Sequence, residues 1–283
     1  MPPWICETCG NLDYQEAAPP DVCAICADDR QWVPAGGQRW TTLAELVAAG
    51  CRSDIREVEP GLTGIGATRQ VGIGQRGLFL TTEHGNVLWD PSGFVDDDAL
   101  RAVREAGGLH AVSASHPHFY GAIVEWARAF DAEILLPEAD ISWLARPSAV
   151  EPLVRTWEGT RAVFPGVTLV QCGGHFPGSS VLHWAEGADG AGVILSGDTI
   201  NVSPGEDRVA FLYSAPNRLP LPEQGVHGVI DAVRPYPFDR IYAHWWEPAI
   251  RHSAQEVLKN STDHYLQILR GQKPEWINPS GRS

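Results

Sequence analysis

Five side chains able to bind a metal ion stand where apolar runs end: His116, His118, His175, Asp198 and His244. Neutral imidazole is a common ligand for zinc and iron, and a nearby carboxylate suits the same ions. His116-Pro117-His118 follows the buried-strand pattern of Leu109 to Ala114, so two rings one residue apart can aim at one point. His175 follows Val167 to Gln171 and the pair Gly173-Gly174. Asp198 follows Val193 to Leu195 and Gly197, and His244 follows Arg240 to Ala243. Small residues beside each ligand let the backbone come close to a shared centre. The pattern predicts one metal site gathered from four places in the chain. His84, His110, His183, His227, His252 and His264 lack this setting and are expected at the surface or in the core.

A second chemistry sits near the start, as Cys6-Glu7-Thr8-Cys9 and Cys23-Ala24-Ile25-Cys26. The first residues carry neither a basic stretch nor an apolar leader, which points to the cytoplasm, where thiols stay reduced. Two C-x-x-C pairs there read as a tetrahedral thiolate cage rather than as disulfides. Gly10 supplies the positive φ such a turn needs. The segment resembles the rubredoxin-like and zinc-ribbon knuckles, in the form Cys-x-x-Cys-Gly followed by Pro-x-x-Cys-x-x-Cys. That resemblance implies zinc or iron in the cage. Cys51 and Cys172 are expected as small buried apolar side chains.

The elements that must position these groups follow from pattern. Residues 1–40 form the knuckle module and 41–283 a larger domain, with Pro34-Ala35-Gly36-Gly37 leading to the boundary. Extended runs cover Ile55 to Val58, Ala67 to Ile73, Gly77 to Thr82 and Asn86 to Trp89, with a hairpin at Gly85-Asn86. Asp96-Asp97-Asp98 opens a helix that Gly107-Gly108 closes, and Ile123, Trp126, Ala127 and Phe130 have helical spacing. Glu133 to Leu136, Val181 to Trp184 and the runs that end at the ligands are further strands. The stretch to Pro165 reads as helical or irregular, and 201–237 as a long loop holding one helix. Ser253-Ala254-Gln255-Glu256 reads as a capping box that opens a final helix, with Leu258, Tyr265 and Leu269 inward and Gly271 as its stop. Hairpins first, then strands alternating with helices, imply sheets layered with helices.

The chain has 283 residues, 43% hydrophobic and 20% charged, the balance of a globular protein with a sizeable core. Its formal net charge of −14 argues against nucleic acid or an anionic membrane as partner. No apolar run is long enough to span a bilayer. A small-molecule substrate is the expected partner. Phe119, Tyr213, Trp245 and Trp246 lie beside ligands or in the long loop, and are expected to line its pocket.

From residue 53 to 275 the sequence resembles the metallo-β-lactamase-fold family. The family's motifs run His-x-His-x-Asp-His, Gly-His, Gly-Asp and a late His; here they stand as His116-Pro117-His118, Gly174-His175, Gly197-Asp198 and His244. The resemblance implies an α/β fold, an αβ/βα four-layer sandwich with metals at the sheet edges. It implies that His116, His118 and His175 hold the first metal, that Asp198 bridges, and that His244 serves a second. Where the family has Asp-His after the second histidine, this chain has Tyr120-Gly121. A glycine offers no ligand, so one metal is expected, zinc or else iron, with Asp198 and Tyr120 as the catalytic side chains. Tyr120 would donate a hydrogen bond to an oxyanion. The expected activity is hydrolysis of a small ester, thioester, lactone or related bond by metal-bound hydroxide. Two alternatives stand beside it: an iron redox protein fed with electrons through the knuckle, and a binding protein whose catalysis is impaired.

Overall fold

Alternating buried residues build two sheets that face each other, and a computed structural model describes them over residues 3–15 and 17–272. Met1, Pro2 and the end of the expected larger domain, 273–283, lie outside the described residues. The first sheet has seven strands in the spatial order Val154–Trp157, Glu133–Pro137, Ala111–Ser113, Gly85–Trp89, Gly77–Thr82, Leu62–Ala67 and Ser53–Glu59. The second has six, in the order Thr160–Phe164, Val167–Gln171, Ser180–Trp184, Val193–Leu195, Arg240–Tyr242 and Ala249–Ile250. Hairpins join the antiparallel pairs. The parallel pairs, such as Gly85–Trp89 with Ala111–Ser113, need crossovers, which the helices Asp97–Glu105 and Ile123–Phe130 supply.

Three apolar layers follow. Leu78, Leu80, Trp89, Leu169, Leu182 and Leu195 meet between the sheets. Phe94, Val103, Val112, Trp126 and Ile134 join the outer face of the first sheet to its two helices. Val181, Ile194, Val226, Val229, Leu258 and Leu266 join the second sheet to the helices Glu223–Val233 and Ala254–Leu269. The result is an αβ/βα sandwich. Asp96 opens its helix as expected, accepting the Ala99 N–H.

Some boundaries differ from expectation. The second strand of the first sheet is Leu62–Ala67, and 68–76 is the loop that follows it. Gly64 and Gly66 hide this strand from pattern reading, yet the fold requires them. A Cβ on Gly64 would lie 2.5 Å from the Trp246 ring, and one on Gly66 3.2 Å from it. Val154–Trp157 and Thr160–Phe164 are edge strands in sequence that read as irregular. Ser253 forms no capping box, because it sits at φ 54 with its N–H on Asp239 Oδ1. The box that does form is Thr42 with Glu45, ahead of Leu43–Ala48. Leu269 is 38% exposed, and Leu266 takes the inward place instead.

The knuckle is a small three-stranded sheet of Trp4–Cys6, Leu12–Asp13 and Trp40–Thr41. The boundary expected after residue 40 falls inside the last of these strands, where Ile5 pairs with Thr41. Ile5 and Leu12 share an apolar cluster with Ile65, Val71 and Phe94, so the module is seated on the sandwich. Gly10 has φ +82, the left-handed value expected of it.

Candidate metal centre

His116 leaves the strand Ala111–Ser113, and Pro117–Phe119 then make one tight turn that carries His118 to the same side. His175 comes from the loop after Val167–Gln171, and Asp198 from the turn after Val193–Leu195. One ligand atom from each of these four lies within 4.8 Å of the others. The group is buried: His116 and His118 are 1% exposed, His175 3% and Asp198 8%.

Partners behind the rings fix which nitrogen faces inward. His175 Nδ1 donates to the Leu212 carbonyl at 3.1 Å, which leaves Nε2 with a bare lone pair, 3.2 Å from His118 Nδ1. Ser115 Oγ holds His116 Nδ1 at 2.9 Å, so His116 Nε2 faces the centre, where it has no hydrogen-bond partner. Ser115 is in turn held by Asp90 Oδ1 at its N–H, at 2.6 Å. Gly197 is required here: at φ +51, a Cβ would lie 2.0 Å from Ser115 Oγ. Asp198 Oδ2 is 3.6 Å from His116 Nε2, and Oδ1 is 3.5 Å from His244 Nδ1.

Electrostatics favour a cation. Burial, then the neighbouring His175, holds His116 and His118 well below the usual histidine range. Burial lowers His175 to about 4 and His244 to about 3, so the imidazoles are neutral at physiological pH and ready to ligate. Burial also raises Asp198 to about 7, the cost of a carboxylate with no counter-charge. An orphaned ring nitrogen, three converging imidazoles and a desolvated carboxyl together fit a divalent ion such as zinc.

The second group is the cysteine cage. Cys6 and Cys26 sulfurs are 3.6 Å apart and those of Cys9 and Cys23 3.7 Å. A disulfide needs about 2.05 Å. A tetrahedron with metal–sulfur bonds of about 2.3 Å has edges of about 3.8 Å, which these separations match. Gln38 Nε2 donates to Cys6 Sγ at 2.8 Å, as thiolate cages require of their surroundings. Contacts among the sulfurs pull the Cys6 thiol down and push those of Cys9 and Cys26 up, so the four crowded thiols hold their protons unevenly.

The expected pocket residues fare unevenly. His244 joins Asp198 rather than the triad itself. Tyr120 is corrected: its single hydroxyl proton goes to the Asp140 carbonyl at 3.0 Å, and its ring is 3% exposed in the core. Phe119 has no exposed surface; its ring lies 4.3 Å from His116 and 4.5 Å from His244, a wall rather than a pocket lining. Tyr213 turns to the knuckle, its hydroxyl 2.8 Å from Asp29 Oδ1. Trp245 lies against His244, ring centroids 4.4 Å apart, and with Trp246 and Gln75 borders a cavity of about 240 Å³. His183 Nε2 donates to the Pro237 carbonyl at 2.8 Å, as a structural residue should. Cys51 is buried and Cys172 half-buried.

Pattern reading missed the supports. Arg76 is 2% exposed, donates its N–H to the His244 carbonyl at 2.9 Å and lies against the Trp246 ring. Burial lowers its pKa to about 10. Arg30 spans from the knuckle, with its guanidinium 3.8 Å over Phe176. Nothing in the local sequence marks either, because their partners lie far along the chain.

Comparison with known proteins agrees with this geometry. Residues 77–261 match the family described as the Metallo-beta-lactamase superfamily. "Uncharacterized protein YmaE" of Bacillus subtilis (strain 168) is 37% identical over 274 residues, which cover 96% of this chain and 98% of that protein. Among solved structures, VMB-1 aligns with TM-score 0.55 at 9% identity, covering 77% of this chain and 98% of that one. DIM-1 metallo-beta-lactamase aligns with TM-score 0.55 at 10% identity, covering 75% and 96%. At such identities these structures speak for the fold alone.

Proposed function

Since the chain belongs to the metallo-beta-lactamase superfamily, we propose that it is a metal-dependent hydrolase of a small ester, thioester, lactone or related bond. The observation that carries this reading is the convergence of His116, His118, His175 and Asp198 within 4.8 Å, three neutral rings and a carboxyl. A divalent ion held there would polarise a carbonyl and bring the pKa of a bound water toward neutrality. His116, His118 and His175 would hold it, with the Leu212 carbonyl and Ser115 Oγ keeping two of the rings turned inward. Asp198 has one oxygen toward the triad and the other toward His244, so it can orient a water and take its proton. It is also the most exposed of the four, at 8%, which suits a group that would meet the water and the substrate.

A single ion suits the residues present. A second would have Asp198 and His244, while Gly121 offers no side chain and Phe119 covers the approach to both His116 and His244. Zinc usually takes three or four protein ligands. The cavity beside Trp245 and Trp246, lined also by Arg69, Gln70 and Gln75, is the proposed seat of part of the substrate. The acidic net charge of −14 favours a small molecule over nucleic acid as partner. Reduced thiols in the cage suit a cytoplasmic address. Among the described residues no helix is long and apolar enough to cross a membrane.

The test is turnover by zinc-loaded protein against a panel of esters, thioesters and lactones, with elemental analysis of the same sample. Two ions per chain are expected, one per group. Asp198→Asn is expected to lower kcat by about 100-fold or more while the histidines keep their ion. A chain whose histidine centre is filled yet turns over nothing on the panel would overturn the hydrolase reading.

A further inference from the structure

One side chain joins the two groups. Asn11 follows Cys9-Gly10 in the knuckle and is 6% exposed. Its Nδ2 donates to the His118 carbonyl at 3.0 Å and to Cys9 Sγ at 3.5 Å, one proton for each. Its Oδ1 accepts the Gly121 N–H at 2.9 Å. A single amide therefore touches a sulfur of the cage, the carbonyl of His118 itself and the backbone just past the turn that carries it. The His118 carbonyl and the Gly121 N–H both find their partner there, so the turn's position depends on where Asn11 stands.

The seat of Asn11 is rigid. A Cβ on Gly72 would lie 2.1 Å from Gly10 N, and one on Gly93 would lie 2.2 Å from Gly10 O. The knuckle backbone is thus wedged against the sandwich one residue before Asn11. A second strap comes from the same module, since Arg30 Nη1 donates to the His175 carbonyl at 3.4 Å. Two of the three imidazoles therefore hang on backbone that the knuckle holds.

We propose that Asn11 is a positioning residue that couples the cysteine cage to the histidine centre, so that an ion in the cage raises the affinity of the histidines for theirs. The inference rests on the reading of both groups as metal sites. Without an ion, four sulfurs at van der Waals separation repel as they ionise and the knuckle loosens. With one, Cys9 is fixed, and Asn11 and the His118 turn are fixed with it. Coupling of this kind is reciprocal: the filled histidine centre must steady the cage by the same factor.

Cobalt distinguishes the sites in the full chain, because a tetrathiolate ion shows intense sulfur-to-metal bands and a histidine–carboxylate ion only weak d–d bands. With the cage filled, Asn11→Ala is expected to weaken cobalt binding at the histidines by about 10–100-fold, the usual effect of losing a ligand's support, and to leave the thiolate bands in place. Gln38→Ala loosens the cage from its other side, at Cys6 Sγ, without touching the His118 turn. At cobalt concentrations that leave the Gln38→Ala cage partly empty, its histidine bands are expected to weaken in step with the thiolate bands. Equal histidine-site affinity in the native chain and in Asn11→Ala overturns the coupling and leaves the hydrolase reading intact. If Asn11→Ala does not fold, histidine bands indifferent to cage occupancy in Gln38→Ala overturn it instead. A native chain whose histidines take up no cobalt overturns both readings.

Discussion

Gly121 stands where the resembling family has a ligand, and its surroundings show why a side chain cannot return. It sits at φ +43, and a Cβ would lie 2.2 Å from the Pro91 carbonyl oxygen and 2.7 Å from that of Ser92. Gly121→His is therefore expected to cost about 3 kcal/mol or more of stability and to add no second ion, measured by denaturant unfolding and by elemental analysis. Tyr120 gives a contrasting case. Its hydroxyl gives its one proton to a buried carbonyl of Asp140. Tyr120→Phe is expected to lose about 1 kcal/mol of stability with turnover unchanged. A large fall in kcat without a fall in stability would place that hydroxyl in the reaction after all.

Among the elements, the clasp between the two sheets is Glu59, at the end of the strand Ser53–Glu59. Its Oε1 accepts the Ala188 N–H at 2.9 Å, and its Oε2 accepts from Arg240 Nη1 and the Tyr242 hydroxyl, both at 2.7 Å. Burial alone would raise its pKa, but those donors outweigh burial and hold it below the ordinary 4.5. A carboxyl with a depressed folded pKa contributes stability above its unfolded pKa and loses it as pH falls through the folded value. Glu59→Gln is expected to cost about 3 kcal/mol at neutral pH, with the gap to the native chain closing below about pH 4.5. Unfolding curves at pH 7 and pH 3.5 check this, and an equal gap at both would contradict it. The strand Leu62–Ala67 shows the other way an element is fixed, since its glycines serve the Trp246 ring laid across them.

Over the whole molecule, the knuckle works as part of the sandwich rather than as an appended bead. Ile5 and Leu12 lie in the main apolar cluster, and Tyr213, Ser214 and Asn217 reach across to Asp29, Arg30 and Gln31. Gly93 and Gly72 pinch Gly10 from two sides, and a Cβ added at Gly93 would lie 2.2 Å from Gly10 O. Gly93→Ala is expected to lower stability by about 3 kcal/mol and to speed protease cleavage within 17–37, with the sandwich cut more slowly. Cleavage at the native rate would mean that the module is held elsewhere.

The candidate ligand set was legible because metal-binding chemistry belongs to residue types, and strand ends can be read from apolar runs. His116, His118, His175 and Asp198 come together as the residues implied, and so do the four cysteines. The layered α/β architecture followed from the order of hairpins and crossovers, which is also a property of the chain. Tertiary structure alone decided what each side chain does with its last hydrogen bond. Tyr120 gives its proton to the Asp140 carbonyl, Tyr213 reaches the knuckle, and Asn11 spans 107 residues to His118. Gly64 and Gly66 lie in a strand that the expected run of Ala67 to Ile73 misplaced, and the Trp246 indole explains them. Periodicity is set by neighbours along the chain, whereas these contacts join residues that only the folded sandwich brings within reach.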